Sequence, residues 1–337
     1  MSVRRSDLLL LAVAVVWGSS YLAARTLVLV GGVLAVLALR FLVSAIALAP
    51  AMARRRPSRP ELRVGALLGL TQASVLVLET YGVSLTSATN AGVLISLTIL
   101  LTPALEGGVR RRWLPGRFFV AAAVAVAGVM LLVAGPGLHA PTAGDALMLA
   151  AAVVRAGHVT LSGRLTDGRR YDTVTLTWLQ TAVGAVLFTI VAAPALPSAG
   201  RAFGPVHWLG VLYLAMGCSV FAFLVQLWAI RRTSAARASL LLGTEPVWAV
   251  LIGVGLAGEH LAAAGVAGIA LVLGGTYYGQ RVEAAHRARR SRSDPSAAGG
   301  PSARRCMSTA AAGSAVAREA AASMYRAPRS SDAATRR

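Results

Sequence analysis

Ten stretches of this chain are each long and apolar enough to cross a lipid bilayer as a helix. A hydrocarbon core about 30 Å thick requires roughly 20 apolar residues in a helix, within a range of about 17 to 25. The stretches are residues 8–29, 32–53, 64–82, 88–106, 117–134, 143–162, 173–193, 206–230, 237–257 and 261–279. Because helices and closed barrels are the structures that satisfy every backbone hydrogen bond in lipid, the pattern predicts an all-α integral membrane protein with ten transmembrane helices.

The first stretch follows Arg4 and Arg5 and ends in small residues, so it is also similar to a secretory signal. Nine further stretches follow it along the chain. We therefore expect the first stretch to be retained as a transmembrane span.

The composition excludes the partners that a strongly basic soluble protein would suggest. Hydrophobic residues make up 56% of the chain and charged residues only 14%, against about 25% charged residues in soluble domains. The net charge is +20, and all 33 basic residues are arginine. These arginines lie at the ends of the apolar stretches and in the tail, and no basic stretch is interleaved with aromatic residues, so no nucleic-acid partner is predicted. The anionic cytoplasmic leaflet of a membrane is the expected partner.

The arginines also predict how the chain is oriented in the membrane, because short cytoplasmic loops carry an excess of positive residues. With the N-terminus inside, the inner segments hold Arg4, Arg5, Arg54, Arg55, Arg56, Arg59, Arg63, Arg110, Arg111, Arg112, Arg117, Arg164, Arg169, Arg170, Arg231, Arg232 and Arg237. The outer segments hold only Arg25 and Arg201. We expect a multi-pass protein of the cell membrane with both termini in the cytoplasm.

The two halves of the chain are similar to each other in sequence. At an offset of 147 residues, Tyr81 aligns with Trp228, Glu79 with Gln226, and the triplet at 86–88 with the identical triplet at 233–235. A second offset of 138 aligns "VVWGSSYL" with "VVRAGHVT". The domains predicted are residues 1–134 and 143–279, each with five spans. Since five is odd, the second half must be inverted relative to the first, as in many secondary transporters.

Several motifs occur in an order that resembles a known family. The second half contains "TEPVWAVLIGVGLAGEHLAAAGVAGIALVLGG", and the first half contains "VVWGSSYLAARTLV" followed by "ALRFLVSAIAL". Together they resemble EamA-type transporters of the drug/metabolite transporter superfamily, over residues 8 to about 279. The resemblance implies a ten-helix carrier with cytoplasmic termini, in a family dominated by exporters of metabolites, amino acids and toxic compounds.

The first half departs from this pattern near its proline. At the offset of 147, Pro246 aligns with Ile99, while Pro103 of the first half lies one helical turn further along. The pair Gly258-Glu259 likewise aligns with Arg111-Arg112. We therefore expect the two halves to differ at this point.

Three charged residues inside the spans are the main candidates for a substrate or ion site, because a charge at the centre of a span normally faces the bundle interior. Arg40 resembles the arginine of the family's "RF" motif. It is expected either to bind an anionic group of the substrate or to pair with Glu79 or Glu245. Glu245 precedes Pro246, which interrupts the helix near Leu242, so its carboxylate either lines a cavity, pairs with Arg40 or Arg155, or stabilises a helix end. Glu79 is either a proton-coupling acid or a residue at headgroup level.

The remaining candidates lie in the first and sixth spans. Arg155 and His158 share one helix face, and His158 either titrates near neutral pH or packs as a hydrogen-bonded residue. Trp17 and Tyr21 are candidates to stack on a substrate, whereas the small residues between them permit close helix approach or serve packing alone. Pro246 and Pro103 are the predicted helix breaks.

Residues 280–337 are rich in Ala, Ser, Gly and Arg and poor in large apolar residues. Such a composition cannot bury enough apolar surface to offset the entropy of ordering. We expect a disordered basic tail on the cytoplasmic side.

These features favour a secondary transporter of small molecules, with the lipid bilayer as partner and protons as a candidate coupling ion. A Walker A motif requires lysine, which the chain lacks, so ATP-driven transport within this chain is excluded. The scattered aspartates and histidines, together with Cys218 and Cys306, indicate no metal site and no cofactor. The alternatives are a membrane-embedded lipid-modifying enzyme and a non-transporting scaffold. The sequence leaves open whether the protein forms a homodimer.

Overall fold

The computed structural model describes residues 3–53, 55–86, 91, 94–133, 142–257 and 263–293. These residues form helices joined by short connections, with no strand among them. The helices are α1 Val3–Gly31, α2 Val33–Met52, α3 Arg59–Leu85, α4 Thr98–Arg110, α5 Gly116–Val133, α6 Ala143–Thr166, α7 Thr173–Ala192, α8 Leu196–Ala202, α9 Pro205–Arg232, α10 Ala235–Leu242, α11 Glu245–Ala257 and α12 Ala263–Ser293. One compact unit spans Met1–Glu283, and a second spans Ala284–Arg337, of which the structure describes only the end of α12.

Length and apolarity make six helical segments of the described residues candidates for membrane spans. They are Val33–Met52, Arg59–Leu85, Ala143–Thr166, Thr173–Ala192, Pro205–Arg232 and Ala235–Ile252. Gly116–Leu132 is a shorter apolar helix. The other predicted spans coincide with α1, with α4, and with the first part of α12. The all-helical membrane fold is therefore confirmed, while the count of ten spans stays a prediction.

Both halves interrupt a span at equivalent residues. In the first half the amide of Leu97 donates to the Leu94 carbonyl (3.2 Å), and α4 starts at the next residue. In the second half the amide of Thr244 donates to the Leu241 carbonyl (3.1 Å), and α11 starts at Glu245. The expectation that the halves differ here is wrong for the position of the break. Pro103 lies inside α4 rather than at its start, so the break in the first half does not depend on that proline.

The path of the chain differs from the sequence prediction in three further places. The eighth span contains a π-helical segment, Leu214–Phe221, within α9. The short helix α8 lies between the seventh and eighth spans. The helix α12 continues to Ser293, so the prediction of disorder from Gln280 is wrong for residues 280–293. The rest of the predicted tail, 294–337, lies outside the described residues.

Glycines at one helix crossing show that the sequence repeat is also present in the contacts. A Cβ atom on Gly128 of α5 would lie 2.8 Å from the carbonyl oxygen of Gly268 in α12. A Cβ atom on Gly275 of α12 would lie 2.7 Å from the carbonyl oxygen of Ala121 in α5. Since Gly128 aligns with Gly275 and Ala121 with Gly268 at the offset of 147, the two contacts correspond to each other. Small residues allow this close approach of the two backbones.

Candidate functional site

The two interrupted spans meet α1, α6 and α9 around a small internal cavity. Its lining residues are Trp17, Ile95, Ser96, Thr98, Thr102, Arg155, Val159, Gln226, Ser239, Leu242, Gly243, Glu245 and Pro246. The cavity volume is about 30 Å³, which is enough for about two water molecules. A larger molecule can enter only if the surrounding helices or side chains move apart.

An arginine and two glutamates form the charged part of this site. The Nη2 atom of Arg155 on α6 lies 2.6 Å from Oε2 of Glu79 on α3, and its Nη1 atom lies 3.8 Å from Oε2 of Glu245 on α11. The three side chains are 18%, 14% and 10% exposed. Arg155 therefore shares its charge between two buried carboxylates, at 2.6 Å with one and at a looser 3.8 Å with the other. Such a buried cluster is stable only while its charges are paired.

Trp17 covers one side of the cluster. The guanidinium carbon of Arg155 lies 5.5 Å from the centre of the Trp17 ring, a distance typical of a cation–π contact. The indole Nε1 of Trp17 donates a hydrogen bond to the carbonyl oxygen of Cys218 (3.0 Å). The ring is thus fixed by the π-helical segment on one side and by the arginine on the other.

The break before α11 places Glu245 at a helix N-terminus, where the helix dipole favours a negative charge. Thr244 directly before it is fully buried, and its hydroxyl donates to the Leu241 carbonyl (2.8 Å) and accepts from Trp248 Nε1 (3.2 Å). These bonds satisfy polar groups that the interrupted helix would otherwise leave without hydrogen-bond partners. The carboxylate therefore reaches the cavity from a firmly held turn.

Gly18 brings α1 against this turn. A Cβ atom on Gly18 would lie 2.9 Å from the Glu245 carbonyl oxygen and 2.8 Å from the amide nitrogen of Ala249. Any larger side chain would push α1 and α11 apart. A glycine is therefore required where the first span crosses the start of α11.

We expect Gly18→Ala to lower the thermal stability of the purified protein, because overpacking costs about 1 to 3 kcal/mol. The matched control is Gly157→Ala in α6, where a Cβ atom meets nothing within 4 Å. That change is expected to raise stability by up to about 1 kcal/mol, since alanine is the better helix former. Thermal unfolding in detergent measures both, and two shifts of the same sign would contradict the close contact at Gly18.

Arg40 lies on the other side of Trp17 and bonds to the π-helical segment. Its Nε atom donates to Ser219 Oγ (2.7 Å), and its Nη2 atom donates to the Cys218 carbonyl oxygen that also accepts from Trp17 (3.0 Å). Its guanidinium carbon lies 5.9 Å from the Phe223 ring. Among the described residues, no carboxylate oxygen lies within 4.0 Å of Arg40. The glutamates pair with Arg155, and the ion pair expected between Arg40 and Glu79 or Glu245 is absent from the described part of the chain.

The charged cluster is asymmetric with respect to the repeat. Glu79 aligns with Gln226, Arg155 with Trp17, and Glu245 with Thr98, so each charged residue has a neutral counterpart in the other half. The three neutral counterparts all line the cavity. Both halves thus contribute to the cluster: Glu79 comes from the first half, and Arg155 and Glu245 come from the second.

The other predicted residues lie apart from the cavity or outside the described structure. His158 is 4% exposed, and its Nδ1 atom is 2.8 Å from the Thr71 hydroxyl, which fits a hydrogen-bonded packing residue. Pro103 is buried within α4. The side chain of Tyr21 lies outside the described residues.

Sequence reasoning missed several polar groups of the site. Thr102 is fully buried and lines the cavity, and its hydroxyl has no hydrogen-bond partner among the described residues. The Cys218 carbonyl binds both Trp17 and Arg40. Thr98, which also lines the cavity, was missed as well. For Thr98 the sequence did carry a signal, because the repeat aligns it with Glu245. In the part of the chain that the structure describes, no group of three or more His, Cys, Asp or Glu residues is arranged to hold a metal ion.

Comparison with known proteins gives three findings. The EamA-like transporter family matches residues 4–134 and 142–278. The chain is 28% identical over 261 residues to a protein of Escherichia coli (strain K12) named "Uncharacterized inner membrane transporter YedA", covering 75% of this chain and 83% of that protein. It also resembles a solved structure titled "Crystal structure of protein", with a TM-score of 0.69, 20% identity, and coverage of 84% of this chain and 98% of the other. At that identity the structural likeness concerns the fold alone.

Proposed function

Because this chain belongs to the EamA-like transporter family, we propose that it is a secondary transporter that exports a small metabolite, amino acid or drug across the cell membrane in exchange for protons. The family resemblance predicted from the sequence is confirmed. Family membership favours transport over the lipid-modifying enzyme and the scaffold. The observation that carries the proposal is the cluster of Arg155, Glu79 and Glu245, of which Arg155 and Glu245 line a cavity between two interrupted spans.

The arrangement of the spans supports alternating access. The interrupted spans and the glycine crossing both obey the repeat offset of 147. Two related halves around a central site can rock so that the site opens to one side of the membrane at a time. In our proposal the chain has ten spans in two inverted halves, with both termini in the cytoplasm.

Arg155 is the proposed switch between the two carboxylates. Protonation of Glu79 would remove the partner at 2.6 Å, and Arg155 would then move closer to Glu245, which is 3.8 Å away. In the proton-bound state one arginine is paired with one ionised glutamate, so the charges of the cluster are balanced within the membrane. Proton binding can therefore change which helices Arg155 holds together.

Arg40 is the proposed contact for an anionic group of the substrate. Its described partners, Ser219 Oγ and the Cys218 carbonyl oxygen, are both neutral, and a buried guanidinium is stabilised further by a carboxylate or phosphate. Trp17 is linked to Arg40 through the shared Cys218 carbonyl. A substrate bound at Arg40 would thus lie close to the ring that covers Arg155.

The proposal predicts a transported solute that depends on the cluster. We expect a strain that overproduces the wild-type protein to show resistance to a toxic compound, or to release a metabolite, that an Arg155→Gln strain does not. Inverted vesicles from the same strains should accumulate that solute only when a proton gradient is imposed. An equal response of both strains to every compound of a broad resistance and metabolite panel would contradict the proposed function.

A further inference from the structure

The half-helix α10 forms one wall of the cavity. All eight of its residues are buried, and it packs against α1, α4, α6 and α9. Ser239 and Leu242, near its C-terminal end, line the cavity. Its N-terminal end, two turns away, contacts Asp7 of α1 and Glu283 of α12, and it lies on the cytoplasmic side in the orientation proposed above. Along the ninth span, α10 therefore lies between the cavity and that side.

The N-terminal end of α10 is held by Arg237. Its Nε and Nη2 atoms donate to the two carboxylate oxygens of Asp7 on α1, at 2.9 and 2.7 Å. Its Nη1 atom donates to Oε2 of Glu283 on α12, at 3.1 Å. The side chains of Arg237, Asp7 and Glu283 are only 7%, 18% and 4% exposed. Arg237 thus binds both oxygens of one carboxylate and one oxygen of a second. Charge-assisted contacts of this kind are strong and directional.

Two further carboxylate contacts hold the same end of α10. The hydroxyl of Ser234, which caps the helix, donates to Oε1 of Glu283 (2.9 Å). The amide of Ala236 donates to Oε2 of Glu106 on α4 (2.9 Å). The first turn of α10 is thus bonded to α1, α4 and α12.

The first half of the repeat lacks the residues for an equivalent ion-pair cluster. At the offset of 147, Arg237 aligns with Asn90 and Glu283 with Pro136, while Asp7 aligns with Asp145 at the offset of 138. One acid is thus retained, but the arginine and the second acid are not. The arginine and the second acid are therefore not repeated in the first half of the sequence.

We propose that α10 is the gate toward the cytoplasm and that Asp7, Arg237 and Glu283 are the latch that keeps it closed. The inference rests on the alternating access of the proposed function and adds the element that moves. Breaking the latch leaves a buried charge unpaired, which strongly disfavours the closed arrangement. The loss of Arg237 thus shifts the population toward states in which α10 has moved and the cavity is open to the cytoplasm.

A cysteine reporter in the cavity tests the latch without any knowledge of the substrate. Ser239→Cys is placed in a background in which Cys218 and Cys306 are replaced by serine. Membrane-impermeant maleimide is applied to vesicles of both orientations. We expect labelling from the cytoplasmic side to be at least about tenfold faster in Arg237→Met than in the protein with the latch intact. Arg237→Lys, which keeps the charge but not the two-point contact, should lie between them.

Two further variants keep the test decisive. The triple change Asp7→Asn, Arg237→Gln and Glu283→Gln leaves no unpaired buried charge, so it should fold. It should still label fast, because the charge-assisted bonds that hold α10 closed are gone. Arg55→Gln removes an exposed ion pair with Asp172, away from α10, and should label at the original slow rate. Labelling as slow in the triple variant as with the latch intact, or faster only from the opposite side, would overturn the gate. Because labelling reports access alone, a protein that fails to transport still answers this question.

Discussion

Arg155→Met is expected to abolish transport and to destabilise the protein by about 3 to 5 kcal/mol, because it leaves two carboxylates buried without their cation. Glu79 loses a partner at 2.6 Å, and Glu245 loses one at 3.8 Å. The Trp17 ring also loses the guanidinium that lies 5.5 Å from its centre. Thermal unfolding of the purified protein in detergent, together with solute uptake into inverted vesicles, measures both effects.

Combined neutralisation separates the structural role of the cluster from its role in transport. The triple change Arg155→Met, Glu79→Gln and Glu245→Gln has no unpaired charge, so much of the lost stability should return while transport stays absent. Arg155→Lys keeps the charge and should retain more stability than Arg155→Met. If the triple variant transports at the wild-type rate, the cluster has a purely structural role and takes no part in transport.

The double change Glu79→Gln and Glu245→Gln is expected to uncouple transport from protons, at a cost in stability because it removes both carboxylates that pair with Arg155. Glutamine keeps the size and hydrogen-bonding capacity of each side chain but cannot exchange a proton. Transport of the solute should then become independent of pH over the range in which the wild type responds, and a proton gradient should no longer drive accumulation. Initial uptake rates across a series of pH values, with and without an imposed gradient, measure the change.

A matched carboxylate outside the cavity controls for general effects of removing an acid. Glu61 lies in the first turn of α3, where it completes a capping box with Ser58. Glu61→Gln should leave the pH dependence of transport as in the wild type. If the double variant keeps the wild-type pH profile, neither glutamate carries the coupling proton.

The sequence predicted those features that depend on hydrophobicity and on the repeat. The long apolar runs gave the helices, and the offset of 147 brought the cavity residues Gln226 and Thr98 into register with Glu79 and Glu245. The proline after Glu245 indicated a break close to where α11 begins. The charged candidates Glu79, Arg155 and Glu245 do meet in the structure.

The features that were missed depend on contacts between distant segments. Sequence alone could not choose between Arg40 and Arg155 as the partner of the glutamates, because that choice depends on how each helix is rotated in the bundle. The π-helical segment, whose Cys218 carbonyl accepts from Trp17 and Arg40, has no distinctive sequence pattern. The break at Leu97 occurs without a proline, and the helix beyond Gln280 forms in a segment whose composition is typical of disorder. In each case tertiary packing overrides the local preference.

The most direct test of the proposed exchange is the proton movement that accompanies transport. Proteoliposomes loaded with a pH-sensitive dye and held without a pH gradient are given a gradient of the transported solute alone. Solute entry should drive protons out, so the interior should become more alkaline, and the double change Glu79→Gln and Glu245→Gln should abolish this shift. Solute entry into wild-type proteoliposomes with no change in internal pH would contradict the exchange of solute for protons at this site.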